Sequence, residues 1–485
     1  MALTSFLVHK AQPGYAQQIK TIAQNWDAML GPSALEPLDE ESFVAKVIEK
    51  LESGTLPEET QLQVVSDLLA LSWWRGLPIA DLQAGRLFAC ATKFFASLCD
   101  GMTVPPRKVS RQNSRRNHAV FVGTFQDPRH SPTSAAIDYI ASLLLNTNVE
   151  NIDVYYSGEI IPRLQDYIDE NIKSRKVKFY KYEFDGEFII NIYTSSIGTF
   201  HFMCEPHLSP VISILSMFGP TVMFICGDEI PLQYLDVYWF TKDAPYIKER
   251  WQRRGAPVNI IENYVHIPTY PALVQTPKFP LSKKDLGFSG ENFIISTVGN
   301  RLGIDLDESF VNGIEDILKR YPNAVWLVVG DLPDNLIYAC KHVFGDQFQH
   351  LVFDPNLYEL LTVADVFANP FRRGGGVSAH IALASKCVVC CLGSGDVSAL
   401  IPKDCQSASK SEYFETLERL MTDQDFYADW LQAQQTYFEE ITDAQAFSKS
   451  LFSAVDLAYS RYEKRRGLSL MEMIFGPKAE LKQAV

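Results

Sequence analysis

Apolar residues in the first hundred positions recur at helical spacing. Val44, Val47, Ile48 and Leu51 share one face, as do Leu87, Ala91, Phe94, Phe95 and Leu98, and strand-like alternation is missing. The pattern predicts an all-helical domain over residues 1–112. Near its end Pro105-Pro106 breaks the periodicity, and Arg107, Lys108, Arg111, Arg115 and Arg116 follow among Ser, Gln and Asn. That stretch reads as a solvated linker, with a site for an anionic partner as the sharper alternative.

From His118 onward short apolar runs alternate with helical periods, the texture of buried parallel strands covered by helices on both faces. Strands are expected at His118–Gly123, Asn151–Ser157, Val177–Tyr182, Phe200–Cys204 and Thr221–Cys226. A second series is expected at Phe293–Val298, Ala324–Gly330, Leu351–Phe353, Val366–Asn369 and Cys387–Leu392. Among the helices, one after Pro132 carries Ile137, Ile140 and Leu144 on a stripe. Another is capped by Asp307, turns Phe310, Ile314, Ile317 and Leu318 inward and stops at Pro322. Between the two series Pro268–Pro280 contains four prolines and reads as a hinge, and after Ile401 the chain is helical to its end. The expected organisation is a helical domain over 1–112, α/β domains over 113–278 and 279–440, and C-terminal helices over 441–485 packing on that core. Two doubly wound units with a hinge make the cleft between them the expected binding site.

Charge narrows the partners. Of 485 residues, 58 are Asp or Glu and 44 Lys or Arg, a net charge of −14, which argues against nucleic acid as a general partner because phosphate neutralisation needs surplus cations. No apolar run reaches the roughly 18 residues of a spanning helix, and the opening MALTSFLVHK lacks the basic start of a signal peptide. Most of the nine cysteines sit in apolar runs (Cys99, Cys204, Cys226, Cys387, Cys390, Cys391), as expected of core thiols in a reducing cytoplasm. No Cys/His cluster with zinc spacing accompanies them, so no metal is expected.

The segment richest in chemistry is ADVFANPFRRGGGVSAHIALASKCVVCCL, Ala364–Leu392. A strand ends at Asn369, Gly374, Gly375 and Gly376 follow, and a helix starts near Val377 and Ser378. Glycines let a backbone approach a ligand closely, and the amides and positive end of a following helix favour phosphate. Arg372 and Arg373 stand beside that site as a potential diphosphate clamp. A second segment, STVGNRL, places Gly299, Asn300 and Arg301 at the carboxyl end of the first strand of the same unit, where ligands of α/β sheets bind.

The succession STVGNRL, helix, AVWLVVGD, ADVFANP, glycine run and IALASKCVV resembles the C-terminal half of GT-B glycosyltransferases over roughly Phe293–Asp396. The resemblance implies two Rossmann-like domains facing a cleft, with the helical domain before them. It also implies a nucleotide-sugar donor, UDP-sugar foremost, held through its diphosphate by the glycine loop and a basic residue. Retaining members carry two glutamates in this loop and helix; here those positions hold Arg372 and His380, with His380 as the substitute for the ribose contact. The helical extension resembles that of cytosolic transferases that glycosylate bacterial adhesins.

On the acceptor side, TFQDPRHSP after the first strand supplies Asp127 and His130 as general bases, and CEPHLSP supplies Glu205 and His207. A hydroxyl acceptor loses a proton as it attacks, and a carboxylate or imidazole takes it. Asp228 is similarly placed but weaker. The expected activity is metal-independent transfer of a sugar, without cofactor, to a protein or glycan acceptor. Two alternatives stand beside it: a nucleotide-sugar epimerase of the same fold, and a non-catalytic partner protein whose helical domain is the protein-binding surface.

Overall fold

The structure, a computed structural model, describes residues 21–22, 24–26, 40–57, 60–61, 63–65, 67–68, 71, 83, 85–87, 89–91, 107–125, 131–157, 159–183, 186–203, 210–225, 233–269, 277, 279–352, 356–372 and 374–475. The chain divides into two compact units. One holds the described residues from 21 to 269 together with 443–475, the other those from 277 to 442.

In the N-terminal region the helix Glu40–Glu52 buries Val44, Val47, Ile48 and Leu51, the predicted stripe. Trp26 stacks on Phe43 and donates its indole N–H to Asp67 at 2.8 Å. Phe94, Phe95, Leu98 and the Pro105-Pro106 break lie outside the described residues.

The basic stretch after that break is not the expected solvated linker. Ser110 caps a short helix, Arg111–Arg116, by accepting from the Asn113 amide. Arg107 lies half-buried and donates to the carbonyls of Ile192, Ser195 and Ile197 at 3.4, 3.1 and 2.6 Å. Arg111 and Arg115 pair with Asp456, and Arg116 with Glu150. These charges find partners far along the chain, which composition alone does not show.

The first unit is built on a seven-stranded parallel sheet in the order β3-β2-β1-β4-β5-β6-β7. Its strands are β1 Asn117–Thr124, β2 Asn151–Ser157, β3 Val177–Lys181, β4 Thr199–Met203, β5 Thr221–Phe224, β6 Val237–Phe240 and β7 Tyr264–His266. Strands β4, β5 and β6 are buried at every residue, as expected of a sheet covered on both faces. The short β6 and β7 were not anticipated, because four and three residues are too few to show a period.

A polar chain runs through this core. His118 contacts the Arg115 carbonyl through Nε2 at 3.2 Å and the Nε2 of His201 through Nδ1 at 2.9 Å, and the Nδ1 of His201 meets the Tyr139 hydroxyl at 2.6 Å. The carbonyl can only accept, so the order of donation follows: Tyr139 to His201, His201 to His118, His118 to Arg115. Both imidazoles are neutral; burial lowers His118 to about 4 and pushes His201 well below its ordinary value.

The C-terminal helix Ala444–Arg465 returns to this unit and packs on β5 and on the helices Arg111–Arg116 and Ser131–Leu144. Its last residue, Arg465, grips the buried Asp236 with two nitrogens at 2.5 and 2.6 Å. Asp236 also accepts from the amide and hydroxyl of Thr221.

The second unit carries a five-stranded parallel sheet in the order β10-β9-β8-β11-β12, made of β8 Phe293–Gly299, β9 Ala324–Gly330, β10 Phe348–Leu351, β11 Val366–Ala368 and β12 Val388–Cys390. Strand β10 begins three residues before the expected start at Leu351. Asp307 caps the helix Glu308–Arg320, whose Phe310, Ile314, Ile317 and Leu318 are buried as the sequence predicts. The edge of β12 is closed by a side chain: the buried Gln434, on the helix Gln424–Ile441, accepts from the Val389 amide at 2.8 Å and donates to its carbonyl at 2.7 Å. Cys387, Cys390 and Cys391 are buried, and burial raises all three thiols.

Candidate functional site

In a strand order of this kind the winding reverses beside the first strand, and the reversal opens a crevice at the carboxyl ends. For the second unit that point lies between β8 and β11. Both glycine-bearing segments end there: Gly299–Arg301 leaves β8, and Asn369–Gly375 leaves β11.

Gly375 sits at φ +106°, a left-handed conformation, and its amino-terminal position lets the helix Gly376–Ala384 begin without a side-chain cap. A Cβ there would also meet Asn369 Oδ1 at 2.5 Å and an Arg372 nitrogen at 2.8 Å. Glycine is thus required both by backbone conformation and by space. Gly374, Val377 and Ser378 are half-buried along the loop and first turn, and Asn300 is exposed.

The two arginines differ. Arg372, expected to turn its charge toward a diphosphate, has a side chain only 6% exposed and commits its donors inside the protein. Its Nε donates to Asn369 Oδ1 at 3.0 Å, and its terminal nitrogens donate to Asp305 Oδ2 at 3.1 Å and the Val298 carbonyl at 2.7 Å. The guanidinium lies so close to Gly299 that a Cβ there would overlap it. Burial lowers its pKa, opposed by the Asp305 carboxylate, yet an arginine stays cationic. Arg301 has a side chain 19% exposed and meets the other oxygen of the same carboxylate, Asp305 Oδ1, at 3.2 Å. Asp305 therefore bridges the two arginines. It was not singled out in the sequence, although its spacing four residues after Arg301 was a signal that could have found it.

Asn369 is buried and held from both sides: its amide donates to Cys390 O at 3.0 Å, and its carbonyl accepts from the Tyr413 hydroxyl at 3.1 Å. His380, on the helix after the glycines, is 3% exposed, lies edge-on to Phe438 and is lowered by burial to about 4. It is a neutral imidazole within the protein. Arg373 lies outside the described residues, as do Asp127, His130, Glu205, His207 and Asp228. Strands β1 and β4, which Asp127 and His130 and then Glu205 and His207 follow in the chain, flank the reversal point of the first sheet.

No protein-family model and no curated protein matches the chain by sequence. Solved structures do match it. A mutant O-GlcNAc transferase from Thermobaculum terrenum superposes with a TM-score of 0.62 at 13% identity, over 95% of this chain and 90% of its own. The chain has the GT-B fold. Two further GT-B comparisons agree over a shorter span. Alr3699/HepE from Anabaena, solved with UDP and glucose, matches with a TM-score of 0.52 at 11% identity over 70% of this chain and 99% of its own. A glycosyltransferase from Rickettsia africae matches with a TM-score of 0.52 at 9% identity over 71% and 98%. The two sheets are thus the Rossmann-like halves of a GT-B chain, as the sequence resemblance implied. No helix among the described residues is long and apolar enough to cross a membrane.

Proposed function

We propose that this protein is a cytoplasmic glycosyltransferase that moves a sugar from a nucleoside diphosphate-sugar, UDP-sugar foremost, to a hydroxyl or amide of a protein or glycan acceptor. The observation that carries the reading is the convergence of Arg301 and the Gly374–Gly376 helix entry at the reversal point of the second sheet. The diphosphate rests on the amides of Gly374–Val377, with Arg301 as the cation beside it. As the glycosidic bond breaks, negative charge grows on the leaving diphosphate, and preorganised amides and a guanidinium stabilise it without reorganising. This design does not call for a metal. The acceptor proton passes to a base among Asp127, His130 and His207, with Asp228 next in line.

A second reading is a GT-B protein that binds nucleotide-sugar and transfers nothing. It is favoured by Arg372 and His380, which occupy the two glutamate positions of retaining members and are both buried. The experiment that separates the readings is a thermal-shift screen of UDP- and GDP-sugars followed by turnover with protein and glycan acceptors. A ligand at 100 times its Kd adds about 2.7 kcal/mol of stability. Donor-dependent stabilisation with release of nucleoside diphosphate and labelled acceptor supports transfer. Stabilisation without turnover supports the binding protein, and product from donor alone would mark an epimerase.

A further inference from the structure

Resting on the donor-site reading above, we propose that Asp305 is the positioning residue of the site: Arg372 fixes Asp305, and Asp305 in turn aims Arg301 at the diphosphate. Three features support the assignment. The carboxylate is 7% exposed and uses one oxygen for each arginine, Oδ1 for Arg301 and Oδ2 for Arg372. Arg372 is itself anchored to both loops, through the Val298 carbonyl at the end of β8 and through Asn369 after β11. And Arg301, the more exposed of the two, sits just past the end of β8 and is met there by the carboxylate four residues on. A long arginine loses rotamer freedom when it is ordered, at an entropic cost. Holding one of its nitrogens in advance removes much of that cost from ligand binding. The arrangement also explains why an arginine occupies the first glutamate position: here that side chain serves the loops, and the acid that meets the donor-side cation comes from the short helix Leu302–Asp305 after β8.

The charge logic makes the inference testable by sign. Asp305 is an anion beside a site for an anion, so on Coulomb's law alone its removal should tighten diphosphate binding. If it aims Arg301, removal should loosen it. We would titrate UDP into the full chain by calorimetry for the parent, Asp305→Asn, Arg301→Ala and the double variant, with urea unfolding of each as the control for folding. The expected result is that Asp305→Asn weakens UDP about tenfold, in line with a charge-assisted hydrogen bond. In the Arg301→Ala background the same change should have less than about a twofold effect, because the group it positions is gone. Unchanged or tighter binding by Asp305→Asn overturns the proposal, and so does an equal loss in both backgrounds, which a merely structural role would give. If Asp305→Asn does not fold, a structure of the parent with UDP decides: Arg301 reaching phosphate while still paired with Asp305 supports the proposal, and Arg301 released from Asp305 overturns it. A parent that binds neither UDP nor GDP at millimolar concentration would instead refute the donor-site reading itself.

Discussion

Arg301 and Arg372 belong to loops that meet at one reversal point, and their surroundings set them apart. Arg372 has a buried carboxylate, a carbonyl and an amide oxygen as partners, so its charge is matched within the protein. Arg301 shares that carboxylate from a more exposed position. Arg301→Ala should therefore weaken UDP by roughly 1.5–3 kcal/mol, about ten- to a hundredfold, with little change in unfolding midpoint; calorimetry and urea melts check both halves. Gly375→Ala should differ in stability. It places a side chain at φ +106° against Asn369 and Arg372, and left-handed strain alone costs about 1–3 kcal/mol, so both stability and UDP affinity should fall. The glycine run and the helix it opens were legible in the sequence because both depend on neighbours in the chain. The inward turn of Arg372 was not, since its partner Asp305 lies 67 positions earlier.

The histidines give a pH prediction at the same scale. His118, His201 and His380 are buried and neutral, with His118 and His380 lowered to about 4. In the unfolded chain each returns to about 6.5. Between those values the unfolded state binds more protons, so stability must fall as pH drops from about 6.5 toward 4. For His118 or His380 alone the full loss is about 3 kcal/mol, at 1.36 kcal/mol per pKa unit. Urea midpoints at about pH 7 and pH 5 test this, and an unchanged midpoint would contradict it.

Among elements, Arg107 shows how far a single side chain can hold a segment. Its donations to Ile192, Ser195 and Ile197 close the carboxyl end of the helix Gly186–Thr194 and tie it to the segment that leads into the helix Arg111–Arg116. Arg107→Ala should destabilise the first unit by about 1.5–3 kcal/mol while UDP affinity stays unchanged, the reverse pattern to Arg301→Ala; paired melts and titrations separate them. Element types were legible wherever a run was long and apolar, as in AVWLVVG, which is β9 residue for residue, or where a cap and a stripe coincided, as at Asp307. The edge strands were harder. Strand β10 reads FQHL, with polar residues at its centre, and β7 is three residues long; both exist because a neighbour offers its backbone, a non-local cause that no window of sequence contains.

On the scale of the whole molecule, the chain leaves the first unit, builds the second and comes back. The return is secured by Arg465, Arg461 and Tyr462. Arg465 pairs with Asp236, Arg461 donates to the carbonyls of Asp236, Glu262 and Asn263, and Tyr462 donates to those of Arg107 and Phe218. Arg465→Met should leave Asp236 buried without its counter-charge, a change that costs about 3–5 kcal/mol, and the loss should appear in the first unit in native-state hydrogen exchange. That the GT-B plan was readable at all follows from repetition: two βα series, each wound in the same order, with a glycine loop at the reversal point of the second. The central claim is that this loop and Arg301 receive a diphosphate. The direct measurement is a crystal structure of the protein with UDP. The account predicts phosphate oxygens on the amides of Gly374–Val377 and on the Arg301 guanidinium; a diphosphate bound anywhere else would contradict it.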